Sequence, residues 1–181
     1  MERTWRCSKC GEVHHGTPGY SFGAPWPWYG ISEHSRQNCE LSDEFCALVD
    51  EDFLMRGCIE IPLLDGGDPL ILGVWVSLSK KSYERQKSLL TDPARIDEPP
   101  QFGWLSSRVP IYPGTLLLKT RVHMRAVGTR PFIELEPTEH PLAVEQRTCI
   151  SDARLLEIAD LMEHRWLHPE WDQKGMYDKA V

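Results

Sequence analysis

The sequence of 181 residues has 41% apolar and 26% charged residues, a composition typical of a folded domain and not of a disordered chain. Its formal net charge of −7 argues against nonspecific binding to the phosphates of nucleic acids, unless the basic residues are segregated onto one face. The N terminus lacks the apolar run of a secretory signal, and the longest apolar stretch, PLILGVWVSL, is about half the length of a membrane span. We therefore expect a cytoplasmic protein without a membrane segment.

The first motif in chain order is CSKCGEVHHG at residues 7–16. Two cysteines two residues apart, followed by Gly11, form a tight turn that presents both thiolates to one tetrahedral ion, usually Zn²⁺. A redox pair with the same spacing would be expected at a helix N terminus in a βαβ unit. Because a glycine follows the pair instead, we predict a zinc knuckle with Cys7 and Cys10 as ligands.

The next segment, residues 17–31, has the sequence TPGYSFGAPWPWYGI. Its three prolines exclude a regular helix or a central strand, so we predict a loop. The aromatic residues of this loop either cap an edge of the core or line a surface that binds a partner. In the second interpretation, the candidate partner-binding residues are Trp26, Trp28 and Tyr29.

Two strands are predicted over residues 53–64 and 70–79, where apolar and polar residues alternate with a period of two. The DGGD sequence between them is typical of a turn, so the strands should form an antiparallel hairpin. A short helix over residues 80–90 follows, with Ser79 or Ser82 as its N-cap. Residues 104–112 are a weaker strand candidate, because Pro110 interrupts them.

A second hairpin is predicted from the strand at residues 116–126. With Gly128 and Thr129 as a two-residue turn, His123 would lie opposite Glu134 and Arg121 opposite Glu136. Such cross-strand pairs stabilise a sheet by a few tenths of a kcal/mol each and need no functional explanation. The alternative is that this polar face belongs to a site in which Glu134 tunes the pKa of His123.

Two helices are predicted near the C terminus. Pro141 suits the first position of a helix over residues 141–147, and Ser151 is expected to cap a second helix. The apolar residues that recur at helical spacing in the second helix are Leu155, Ile158, Ala159, Met162 and Trp166. His168 and Pro169 should end it. We therefore predict one α+β domain over residues 1–168, with a mostly antiparallel sheet, the N-terminal knuckle and C-terminal helices, and a tail over residues 169–181.

A closed zinc site needs two ligands in addition to the knuckle cysteines. Cys46 and Cys58 fall on the polar sides of predicted strands, from which they can point away from the core and toward the knuckle. His14 is their main rival, because it follows Cys10 by four residues. We predict a structural Zn²⁺ bound by Cys7, Cys10, Cys46 and Cys58, with His14 as the rival ligand. An open catalytic site would instead need three ligands and a general base.

Several segments together resemble the bacterial family called domain of unknown function 2199. They are WRCSKCGEVHHG, LSDEFCALVDEDFLMRGCIEIPL, GVWVSLS, DEPPQFGWL, LKTRVHMR and RPFIELEPTEHPLAVEQR, and the resemblance as a whole runs from about Trp5 to His164. The resemblance implies one α+β domain in an intracellular bacterial protein and supplies no activity. It also implies a glycine before Ile150, where this chain has Cys149, so a tight left-handed turn is not expected there.

The functional prediction is a zinc-stabilised module that binds another protein, with neutralisation of a toxin by an immunity-type protein as a specific instance. The alternative is an enzyme whose acid/base groups or second metal site come from Glu134, Glu136, His140 and Glu145. A nucleic-acid module is a third hypothesis, based on Lys119, Arg121, Arg125 and Arg130. We expect Glu134 and Glu136 to neutralise that stripe, and therefore no nucleic-acid partner.

Overall fold

The computed structural model describes residues 3–8, 10–49 and 52–163. The strands in this part of the chain are β1 (Thr4–Arg6), β2 (Val13–His15), β3 (Gly19–Ser21), β4 (Glu40–Leu41), β5 (Phe45–Ala47), β6 (Phe53–Ile61), β7 (Leu70–Leu78), β8 (Gln101–Leu105), β9 (Lys119–His123) and β10 (Phe132–Leu135). The α-helices are α1 (Glu33–Arg36), α2 (Lys80–Ser88), α3 (Pro141–Thr148) and α4 (Asp152–Glu163), and two 3-10 helices cover Trp26–Gly30 and Pro93–Asp97. The predicted α+β class is confirmed.

Strands β6 to β10 close into a ring. Each pairs antiparallel with the next in the chain, and β10 then pairs with β6 in parallel, because an odd number of alternating strands leaves the first and last pointing the same way. At this closure Phe132 lies opposite Cys58. Gly57 permits the contact, since a Cβ at this position would lie 2.5 Å from the Cδ1 atom of Ile133. Strands β3, β4 and β5 extend the sheet, whereas β1 and β2 form a separate hairpin.

The predicted hairpin of β6 and β7 is confirmed. Its register runs from Phe53 opposite Leu78 to Ile61 opposite Leu70. Helix α2 follows directly, and the hydroxyl of its N-cap residue Ser79 accepts a hydrogen bond from the backbone N–H of Ser82. Local alternation and capping chemistry were sufficient to predict these elements.

Strand β8 lies earlier than predicted, and the expectation of a strand over residues 104–112 was wrong for most of that range. The chain leaves the strand after Leu105. The Ser107 hydroxyl then accepts a hydrogen bond from the Trp75 backbone N–H at 2.8 Å. A side chain thus replaces a backbone carbonyl as the acceptor for the Trp75 N–H, while the Ser106 N–H still donates to the Trp75 carbonyl.

The register of β9 and β10 also differs from the prediction by two residues. His123 lies opposite Phe132, and Arg121 lies opposite Glu134. The reason is the turn, in which the N–H of Thr129 donates to the carbonyl of Ala126. Gly128, with a φ of 85°, therefore takes the third position, which favours positive φ, instead of the second.

Helix α3 begins at Pro141 as predicted, and helix α4 has the predicted cap at Ser151. The His140 side chain accepts from the backbone N–H of Leu142, and the Ser151 hydroxyl accepts from that of Arg154. Leu142, Leu155 and Ile158 belong to the same buried core as the ring interior. The predicted positions of Trp166, His168, Pro169 and the tail at residues 169–181 lie outside the described residues. Within the described ranges, no helix has the length and apolarity that a membrane crossing needs.

Cys149 joins α3 to the following segment with a φ of 68° and a ψ of 162°. The φ is positive, but the ψ is far from that of the left-handed helical region, so the tight αL turn that was not expected here does not form. The conformation is imposed by the neighbouring residue, because Ile150 forms a parallel bridge with Leu63 and donates its N–H to the Pro62 carbonyl. A residue with a Cβ thus holds a backbone conformation that glycine adopts with less strain.

Candidate metal centre

The N-terminal hairpin folds His14 back onto the two cysteines. Strands β1 and β2 pair with Trp5 opposite His14, and the two rings stack with their centroids 5.3 Å apart. In the connecting turn, Gly11 has a φ of 76° and donates its N–H to the Cys7 carbonyl. The glycine after the second cysteine therefore serves the tight turn that the motif predicted.

Three potential ligand atoms converge at this turn. The side chains of Cys7, Cys10 and His14 place one ligand atom each within 4.8 Å of one another. The Cys10 sulfur lies 3.8 Å from Nε2 of His14, and Cys7 is only 3% exposed. This is a ligand set that Zn²⁺ favours.

The surroundings of Cys10 favour its thiolate form. A hydrogen bond from the Glu12 backbone N–H is the main cause that lowers the pKa of the Cys10 thiol, followed by the contact with His14. Metals bind the thiolate and not the thiol, so the turn prepares this sulfur for coordination.

The structure does not bring Cys46 and Cys58 to this cluster. Cys46 lies in the core within β5, and its burial raises the pKa of its thiol to about 12. Cys58 lies in β6 at the ring closure, and burial raises its pKa as well. Both were predicted to point away from the core, but the large sheet is covered on both faces at Cys46. The rival ligand His14 is the one that the hairpin brings to Cys7 and Cys10.

An acidic residue that the sequence analysis did not single out lies beside the cluster. Oδ1 of Asp160, in α4, is 3.3 Å from the Cys7 sulfur, and the Ser8 hydroxyl donates to the other carboxylate oxygen. Asp160 stands 153 residues after Cys7 in the chain, so no local pattern connects the two. Its only sequence signal is a position on the polar face of an amphipathic helix.

Arg3 fastens the same hairpin to the rest of the fold. Its guanidinium pairs with Asp65 at 2.5 Å, in the turn between β6 and β7, and with Asp152 at the start of α4. The hydrogen bond with Asp152 is the main cause that raises the pKa of Arg3, and the Gly67 backbone N–H, followed by Arg3, lowers the pKa of Asp65. The candidate metal ligands therefore belong to a hairpin that is attached at several points.

The aromatic segment forms the 3-10 helix Trp26–Gly30, and the side chains of Trp26, Trp28 and Tyr29 are all partly buried. The Arg108 guanidinium lies 3.6 Å from the ring centroid of Trp26, whereas Trp28 packs against the core. Trp26, Pro27, Tyr29 and Gly30 line a shallow hollow of about 200 Å³. Trp28 thus contributes to the core, and the hollow beside Trp26 faces outward.

The predicted acid/base candidates are engaged in separate contacts. Oε2 of Glu134 lies 2.7 Å from Nε2 of His123. His140 uses Nδ1 to cap α3, while its Nε2 is 3.0 Å from the Pro113 carbonyl. The two carboxylate oxygens of Glu145 accept hydrogen bonds from the buried Tyr112 hydroxyl and from Nε of Arg154. Among the described residues, the one metal-ligand group is Cys7, Cys10 and His14, and these candidates are not part of it.

The basic stripe is neutralised differently from the prediction. Arg125 pairs with Glu60 at 2.5 Å, and Arg130 pairs with Glu44 at 3.1 Å. Arg121 lies opposite Glu134 in the sheet. Carboxylates from β6, from the connection between β4 and β5, and from β10 therefore lie near these basic residues. The prediction had placed all of them on or next to β10.

A second aromatic pair lies on the outer face of β8 and was missed by the sequence analysis. Phe102 and Trp104 are 50% and 38% exposed, and their ring centroids are 5.1 Å apart. The signal was present, because the residues that alternate with this pair, Gly103 and Leu105, are the buried ones. The predicted strand begins three residues too late to include this alternation.

The fold and this site define a sheet-rich α+β domain with a candidate N-terminal Cys/His metal site. The chain belongs to the family described as uncharacterized protein conserved in bacteria, domain of unknown function 2199, whose model matches residues 6–150. The matched range contains Cys7, Cys10 and His14 and ends before Asp160. No curated protein and no solved structure matches the chain.

Proposed function

We propose that the protein is a zinc-stabilised protein-binding module. The observation that supports the metal is the convergence of Cys7, Cys10 and His14 on a hairpin that is itself attached to the fold through Arg3. A metal at such a position stiffens a scaffold, because it ties a short two-stranded hairpin that is only marginally stable alone.

Binding is preferred to catalysis because of where the acid/base candidates lie. A catalytic zinc site needs an open coordination position and a nearby general base. His140 and Glu145 are instead held by the cap of α3 and by the Tyr112 and Arg154 contacts. These contacts are of the kind that maintain a fold.

The proposed binding surface is the hollow beside Trp26. Its lining of Trp26, Pro27 and Tyr29 on a short 3-10 helix offers rigid aromatic area, which anchors partners at low entropic cost. A volume of about 200 Å³ suits one side chain of an extended segment. The net charge of −7 favours a basic partner, and neutralisation of a basic toxin by an immunity-type protein is the specific instance that we propose within this class.

The test is quantitative capture of partners from a bacterial lysate, followed by measurement of Kd for a purified captured partner. Trp26→Ala should weaken that Kd by at least about fivefold, the equivalent of roughly 1 kcal/mol. Phe102→Ala is the matched control, since Phe102 is an exposed aromatic on β8. A partner that loses affinity with Phe102→Ala and keeps it with Trp26→Ala would contradict the proposed surface.

A further inference from the structure

We propose that Asp160 is the fourth ligand of the metal site, so that one ion joins the N-terminal hairpin to helix α4. This inference rests on the proposed zinc centre and goes beyond it, because it assigns a ligand from outside the range of the family match. With Asp160 as a ligand, the metal also links two parts of the chain that are distant in sequence.

The first support is the distance between the Asp160 carboxylate and the Cys7 sulfur. Zinc bonds of about 2.3 Å to sulfur and 2.0–2.2 Å to oxygen, at tetrahedral angles, separate the two ligand atoms by about 3.5 Å. Oδ1 of Asp160 lies 3.3 Å from the Cys7 sulfur. The carboxylate thus stands at ligand spacing from Cys7. It does not lie within 4.8 Å of all three ligand atoms, so binding of the same ion requires it to move closer to Cys10 and His14.

The second support is the hydrogen bond from Ser8. Carboxylates that bind a metal through one oxygen are usually oriented by a hydrogen bond to the other oxygen. The Ser8 hydroxyl donates to Oδ2 of Asp160, on the oxygen that does not face Cys7. The adjacent residue of the knuckle therefore orients the carboxylate of the helix.

The decisive test uses Co²⁺ in place of Zn²⁺ in the full chain, because the sulfur-to-cobalt charge-transfer band counts sulfur ligands. Asp160→Cys should raise the intensity of that band by about half, since the sulfur ligands increase from two to three. Glu157→Cys is the matched control, because it adds a thiol at an exposed position of the same helix. Its band should equal that of the wild-type protein.

A second variant covers the case in which Asp160→Cys does not fold. Asp160→Asn keeps the shape of the side chain and should weaken Co²⁺ binding by at least about tenfold. An unchanged affinity, or an unchanged band in folded Asp160→Cys, would overturn the assignment of Asp160 while leaving the three-residue centre intact. If the wild-type protein binds no Co²⁺, or if Cys10→Ser leaves binding unaltered, the proposed zinc centre falls together with this inference.

Discussion

The sulfur of Cys10 lies 3.8 Å from Nε2 of His14, close to the separation of about 3.5 Å expected for two ligands of one tetrahedral zinc ion. The contact is produced by the turn at Gly11 and by the pairing of β1 with β2. It predicts a measurable dependence of stability on metal.

We expect the purified protein to contain about one zinc per chain and to lose stability when a chelator removes it. The contacts within the short hairpin are weak alone, and the metal ties them together. Its removal should therefore lower the free energy of unfolding by at least about 2 kcal/mol, or the Tm by about 4–8 °C. Cys10→Ser should reproduce the loss, whereas Cys39→Ser, outside the ligand group, should not. Elemental analysis and calorimetry measure both quantities. A metal-free protein with an unchanged Tm would refute the structural role.

The two tryptophans of the 3-10 helix should differ in their effect on folding. Trp28→Ala should lower the free energy of unfolding by about 2 kcal/mol or more, because Trp28 packs against the core. Trp26→Ala should cost less than about 1 kcal/mol, since the side chain is only partly buried and its ring stacks with the Arg108 guanidinium. Urea denaturation of both variants is the measurement. Equal losses would show that Trp26 is also a core residue.

Cys149→Gly should stabilise the protein. The φ of 68° at Cys149 strains a residue with a Cβ, and glycine relieves that strain, with a net gain of about 1 kcal/mol after the entropy of the unfolded chain is counted. Cys149→Ala is the control, because it removes the sulfur and keeps the Cβ. Chemical denaturation should show a gain for glycine alone. If both variants behave alike, the backbone at this position is unstrained.

Gly103→Ala should lower the free energy of unfolding by about 3 kcal/mol or more. A Cβ at residue 103 would lie 2.4 Å from the backbone carbonyl oxygen of Ser77, and a strand backbone cannot yield as a side chain can. Gly30→Ala provides the comparison, because its Cβ would meet nothing within 4 Å. Thermal unfolding of the two variants should therefore differ sharply, and similar Tm values would argue against the close approach of β7 and β8.

Stability should fall in alkaline solution, beginning near pH 9. Burial raises the pKa of Cys46 from 9.0 to about 12, so between these values the unfolded chain has lost a proton that the folded chain still holds. The folded state binds more protons there, and its stability must decrease as pH rises, by up to about 1.4 kcal/mol per pH unit for one group. Cys46→Ala should flatten the profile between pH 9 and 12. An unaltered slope would show that this thiol titrates alike in both states.

Elements that depend on interactions between residues close together in the chain were determined by the sequence itself. The alternation along β6 and β7, the cap at Ser79 and the turn of the C-x-x-C-G motif depend on neighbouring residues, and all three appear as predicted. Even the shifted register of β9 and β10 follows a local rule, which is the preference of Gly128 for the third position of its turn. The prediction failed there because glycine was assigned to the adjacent position.

Contacts between distant segments were decided only by the tertiary structure. Whether Cys46 faces solvent or core depends on what covers β5, and the alternation along one strand cannot reveal the covering element. The contact of Asp160 with Cys7 joins residues 153 positions apart, and the parallel pairing of β10 with β6 depends on how many strands precede it. Periodicity states which face a residue occupies, but the packing of the whole chain decides what lies against that face.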